Sequence, residues 1–162
     1  MKNLLLYTFL AAFLVSCNGN AQKDSDEKSS KYEVSKSEAE WKEELTSQEF
    51  AILRKAGTET AFTSDLLDVK EPGTFVCAGC GNELYVTEHK FDSGTGWPSF
   101  DRAIDGSVAY GKGNVQGYMG VEVHCARCGG HLGHVFSDGP QETTGKRHCI
   151  NGVALDFIPE SE

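Results

Sequence analysis

The sequence predicts a mainly β domain, folded from antiparallel strands over residues 37–162 and led by two short helices. Three observations carry this. After Glu71-Pro72-Gly73 the apolar runs are short, with glycine and other turn residues between them. Before that point, apolar residues three or four apart follow capping signals, as in short helices. Two Cys-x-x-Cys pairs, each inside a strand–turn–strand pattern, lie far apart in the chain and can tie its halves together.

Residues 1–16 are not expected to join the fold. Lys2 precedes an apolar run from Leu4 to Val15, shorter than the roughly 20 residues that span a bilayer. It fits an export signal peptide. The run ends in Leu14-Val15-Ser16-Cys17, which resembles the bacterial lipoprotein box. That resemblance implies cleavage before Cys17 and lipid on its sulfur, hence an exported protein anchored to an envelope membrane on its periplasmic or cell-surface face. An ordinary signal peptide with a free Cys17 is the alternative. Residues 17–36 are polar, charged and nearly devoid of apolar side chains, so they are expected to form a flexible tether. The whole chain carries a net charge of −9; without the leader and its Lys2, 14 basic residues face 24 acidic ones. Such acidity excludes a nucleic-acid partner, which needs a basic face.

Within the domain, Ser37/Glu40 and Thr46/Glu49 have capping-box spacing, each opening a short helix. Gly57 is the expected stop of the second. Strands are expected around 74–76, 83–86, 107–110, 119–124, 131–136, 147–151 and 153–157.

FVCAGCGNEL and VHCARCGGHL each read as strand, knuckle, strand. Gly81 and Gly129 permit the turn that points both sulfurs of a pair at one centre. Cys77, Cys80, Cys125 and Cys128 together supply the four thiolates of a closed, structural zinc site. The site would join segments separated by 44 residues. Two disulfides, a redox dithiol, or iron in place of zinc are the alternatives.

Cys149 has no obvious partner. On a strand, Arg147, Cys149 and Asn151 share a face, a polar patch expected to favour a thiolate. A buried free cysteine is the bland reading. His131 and His134 flank the flexible Gly133, without the glutamate of a zinc-protease motif. Trp97, in the loop FDSGTGWPSFD, is either a ligand wall or a core residue.

Taken in order, Cys-x-x-Cys, SGTGWPSF, Cys-x-x-Cys, HLGHVFSDGP and RHCINGVALDFIP closely resemble the B-type methionine sulfoxide reductases, over roughly Trp41 to Pro159. The resemblance implies a β-tent-like domain of two antiparallel sheets, with zinc at the end away from the chemistry. It implies reduction of the R epimer of methionine sulfoxide in peptides and proteins. Cys149 would be the nucleophile that becomes a sulfenic acid, His131 and His134 the proton donors or relays, Asn151 a support of that network, and Trp97 the wall that receives the sulfoxide methyl group.

The chain departs from the pattern at Thr95, where many members carry the cysteine that resolves the sulfenic acid. A one-cysteine cycle is therefore expected, closed by an external donor such as thioredoxin or a small thiol. Position 148 is commonly tyrosine in the family; His148, facing away from Cys149, is expected to serve packing or the rim and to have no catalytic role. A monomer is expected. A zinc-clipped binding module without catalysis and a Cys-x-x-Cys thiol–disulfide oxidoreductase are the competing readings.

Overall fold

A computed structural model describes residues 31–111 and 120–161. The leader and residues 17–30 of the proposed tether, Cys17 included, lie outside the described residues. Among the described residues no helix is long and apolar enough to cross a membrane.

Both expected capping boxes form. Ser37 caps α1 (Glu38–Glu44) and Thr46 caps α2 (Ser47–Leu53), each with reciprocal bonds to the glutamate three residues on. The buried side chains Trp41, Phe50, Ile52 and Leu53 face the sheets. Gly57 does not end α2. The helix stops at Leu53, and Ala56 takes the left-handed conformation (φ 54°). Gly57 is required for another reason: a β-carbon there would stand 2.9 Å from the Ala51 carbonyl oxygen.

Among the described residues nine strands follow: β1 (Gly73–Cys77), β2 (Glu83–Val86), β3 (Lys90–Phe91), β4 (Ser99–Phe100), β5 (Val108–Tyr110), β6 (Val121–Cys125), β7 (His131–Phe136), β8 (Arg147–Ile150) and β9 (Leu155–Pro159). They form two antiparallel sheets, ordered β2-β1-β9 and β3-β4-β8-β7-β6-β5. The fold class expected from the sequence is thus observed. The two-residue strands β3 and β4 were not foreseen, and residues 152–154 form a 3-10 turn rather than the start of the last strand.

An aromatic seam joins the sheets. Tyr85 stacks on Phe100 at 4.3 Å, and Phe75 meets Phe100 edge-on at 5.0 Å. His148 belongs to this seam, 1% exposed, with its Nδ1 3.1 Å from the Tyr85 hydroxyl. It points into the core, as expected for a packing residue. Burial is the main reason its pKa falls to about 4 in the fold, against about 6.5 in an unfolded chain. Above pH 6.5 both states are neutral and the group is silent. As pH falls below that, the unfolded chain takes the proton first and the fold loses stability. The loss reaches on the order of 3 kcal/mol near pH 4. Denaturant titrations at pH 7 and pH 4 should show this component in the wild type and lack it in His148→Gln.

Candidate active site and metal centre

Each knuckle is a tight turn closed by a glycine. The Gly81 and Gly129 N–H groups donate to the Cys77 and Cys125 carbonyls at 2.8 Å, with φ of 67° and 69°. All four cysteines are free thiols whose sulfurs lie within 4.8 Å of one another. Two of the contacts cross between knuckles: Cys77 to Cys128 at 3.8 Å and Cys80 to Cys125 at 3.6 Å. A tetrahedron with metal–sulfur bonds of about 2.3 Å has edges of about 3.8 Å, so the set fits a metal ion. A redox dithiol would instead bring together the two sulfurs of one pair. Hydrogen bonding with Cys125 raises the Cys77 thiol, and hydrogen bonding to Cys128 lowers Cys125, as expected where four sulfurs compete for protons. The helices seal this end. Leu53 packs on Gly130 and Gly79, and Trp41 on Gly79.

None of these sulfurs reaches Cys149, which lines a separate pocket of about 160 Å³ with Thr58, Trp97, Gly133, His134, Phe136 and Asn151. Strand register builds it. Ser99, Cys149, His134 and Glu122 lie directly opposite one another across β4, β8, β7 and β6, so they share one face. Gly133 lets β7 and β8 approach: a β-carbon there would stand 2.1 Å from the Cys149 carbonyl oxygen.

His131 and His134 are three residues apart, which in a regular strand places them on opposite faces. A bulge overrides this. Val123 pairs with Gly133 and His124 with His131, so Leu132 is an extra residue. The two rings then meet edge-on at 5.4 Å. His134 lines the pocket; its pKa is lowered, first by burial and then by His131. His131 lies behind it, 5% exposed. Its Nδ1 is 2.8 Å from the Glu122 carboxylate, and its buried Nε2 has no hydrogen-bond partner.

The expected thiolate-favouring patch is not what forms. Burial pushes the Cys149 thiol up, outweighing the opposite pull of Thr95 and Arg147. Arg147 is itself buried and held by a two-pronged ion pair, Nε and Nη2 donating to Asp138 at 2.9 and 2.8 Å. Asn151 is committed to backbone, accepting from Glu59 N–H at 3.0 Å and donating to the Leu132 carbonyl at 2.9 Å. It clamps the segment bearing Thr58 and Glu59 onto β7. The Glu59 carboxylate in turn accepts from the N–H groups of Gly152 and Val153.

Thr95 Oγ1 stands 3.9 Å from the Cys149 sulfur, at the end of a hydroxyl chain. Ser99 donates to the Trp97 carbonyl at 3.1 Å, and Ser93 bridges Ser99 at 2.7 Å and Thr95 at 2.8 Å. One rotation of the Thr95 hydroxyl changes it from an acceptor of the thiol proton to a donor toward a thiolate.

Sequence reasoning missed Thr58, Glu59, Glu122, Phe136 and Asp138. Glu122 had a signal, a lone acid inside an apolar strand, and Phe136 continues the alternation of His134. Thr58 and Glu59 sit in a loop about 90 residues from Cys149 with no local mark.

The family model described as SelR domain matches residues 45–159. Three curated relatives are each named peptide methionine sulfoxide reductase MsrB. That of Chromohalobacter salexigens is 50% identical and covers 78% of this chain and 96% of its own. That of Leifsonia xyli is 47% identical, covering 81% and 95%. That of Leptospira interrogans is 49% identical, covering 80% and 98%.

Proposed function

The chain belongs to the SelR-domain family of B-type peptide methionine sulfoxide reductases, and on that premise we propose how its residues carry the reaction. The family's activity makes it an oxidoreductase that returns methionine sulfoxide in proteins to methionine. One observation carries the rest: a half-buried cysteine lies in a small pocket walled by Trp97 and Phe136, beside a histidine.

The Cys149 sulfur attacks the sulfoxide sulfur. The substrate S–O bond breaks and the oxygen ends on Cys149 as a sulfenic acid. Methionine sulfur gains two electrons and Cys149 loses two. At neutral pH the raised thiol and the lowered imidazole are both uncharged at rest. The proton that the thiol gives up is then the one the sulfoxide oxygen needs, and His134 can relay it. His131, held by Glu122, orients His134 and stands ready as a second donor. Thr95 supports the thiolate through its hydroxyl. Asn151 acts by position, fixing Thr58 against β7.

Thr95 cannot form a disulfide, and four cysteines are gathered at the metal centre. An external thiol donor, thioredoxin-like or small, therefore closes the cycle: two thiols reduce the sulfenic acid, giving water and a disulfide on the donor. The metal we assign is zinc, since four thiolates in a tetrahedron suit it. Such a closed set supplies stability to the fold and no open position for chemistry. The leader that ends before Cys17 supports an exported, lipid-anchored protein that repairs oxidised envelope proteins; of the tether proposed for residues 17–36, the described end is docked on the domain, Val34 N–H donating to the Arg127 carbonyl and Glu33 pairing with Arg127.

Trp97 and Phe136 give the pocket two aromatic walls, and a sulfoxide methyl seated against them would select the R epimer. An equal mixture of both epimers of a blocked methionine sulfoxide tests this. The R epimer should be consumed and the S epimer left. Equal consumption would contradict the reading.

A further inference from the structure

The pocket at Cys149 admits the end of one side chain. Its 160 Å³ falls below the roughly 300–1,000 Å³ of sites that enclose a whole small ligand. A protein substrate continues beyond it, and the flanking residues must lie on neighbouring surface.

The far side of Trp97 offers such a surface. A second cleft of about 380 Å³ shares Trp97 as a wall; Phe62, Leu67, Phe91 and Pro98 are its apolar lining, beside Ser93, Ser99 and the charged Lys70, Lys90, Asp68 and Asp92. The same loop serves both cavities, Thr58 lining the first and Phe62 the second. It is pinned along the partition. Trp97 Nε1–H donates to the Glu59 carbonyl at 3.3 Å, and Phe62 N–H to the Gly96 carbonyl at 2.8 Å.

Phe62 is the anomaly. It is 71% exposed, yet its backbone is held at φ 66°, a conformation unfavourable for a bulky residue. Its ring rests on Gly96, where a β-carbon would come within 2.8 Å of Phe62 Cδ2. Folding gains little burial from this ring, so strain and exposure together point to a use outside the fold.

We propose that this cleft is a subsite for the residue flanking the methionine sulfoxide in a protein substrate, and that it takes an apolar, preferably aromatic, side chain against Phe62 and Trp97. The proposal rests on the catalytic reading of the Cys149 pocket. The apolar contact comes from Phe62 and Trp97, and the charged groups of the cleft set no net sign. The two lysines and two aspartates balance, Lys90 Nζ is spent on the Leu67 carbonyl, and Asp92 on the Gly94 N–H. No net charge is left to select a charged side chain.

Three blocked peptides test this, each with one R-sulfoxide: glycine on both sides, phenylalanine before it, or phenylalanine after it. With a dithiol reductant, one phenylalanine peptide should exceed the glycine peptide in kcat/KM by roughly 5–20-fold, mainly through KM. Phe62→Gly relieves the backbone conformation and should fold. It should lose that advantage while turning over the glycine peptide within about twofold of wild type. Equal rates on all three peptides in wild type, or an advantage that survives Phe62→Gly, would overturn the subsite. Failure of all three peptides in folded wild-type protein would instead overturn the catalytic reading beneath it.

Discussion

Replacing Cys149 with serine is expected to abolish methionine sulfoxide reduction, by on the order of 10⁴-fold or more. The loss should be this deep because the residue is both nucleophile and electron donor. A serine oxygen stands in the same place but cannot accept the sulfoxide oxygen and be oxidised by two electrons. No other described thiol can substitute, since Cys77, Cys80, Cys125 and Cys128 converge elsewhere and none lines the pocket. The melting temperature and metal content should stay near those of wild type. Residual turnover with an intact fold would mean that the oxygen goes to another group.

Removing the metal should have an equally large effect, on folding rather than chemistry. Structural zinc contributes on the order of 10 kcal/mol in small domains. A domain of this size is stable by only about 5–15 kcal/mol. Cys125 is fully buried and Cys128 nearly so, and the two knuckles begin at the last residues of β1 and β6, Cys77 and Cys125. Cys125→Ser, or a strong chelator at neutral pH, should abolish cooperative melting and activity together. Elemental analysis of the untreated protein should give one zinc per chain. Because the ligands bind as thiolates, acid should release the ion, with affinity falling as pH falls. Unchanged melting after complete metal loss would contradict the structural role.

Much of this molecule was legible where the signal is local. The capping boxes at Ser37/Glu40 and Thr46/Glu49 formed as spaced, and Gly81 and Gly129 closed the knuckles. Strand alternation set His148 on the face opposite Cys149, and the structure buries that face while Cys149 lines a pocket. Alternation failed at His131 and His134, because a bulge at Leu132 depends on pairing with β6, which no strand shows alone. The electrostatics of Cys149 were misjudged for a similar reason. Arg147 seemed free to draw out a proton, but Asp138 occupies it, and burial decides the thiol's direction. Strands β3 and β4 are two residues long, too short to carry a period. Glu59 and Thr58 reach the site only through tertiary contact, by way of Asn151.

The most direct test of the central claim omits the reductant. The purified protein is mixed with a blocked R-sulfoxide, methionine is counted per chain, and the protein's mass and its Cys149 peptide are read. The expected result is about one methionine per chain, one added oxygen on Cys149 trapped as sulfenic acid, and no internal disulfide. A disulfide from Cys149 to another cysteine, or methionine formed without any change at Cys149, would contradict it.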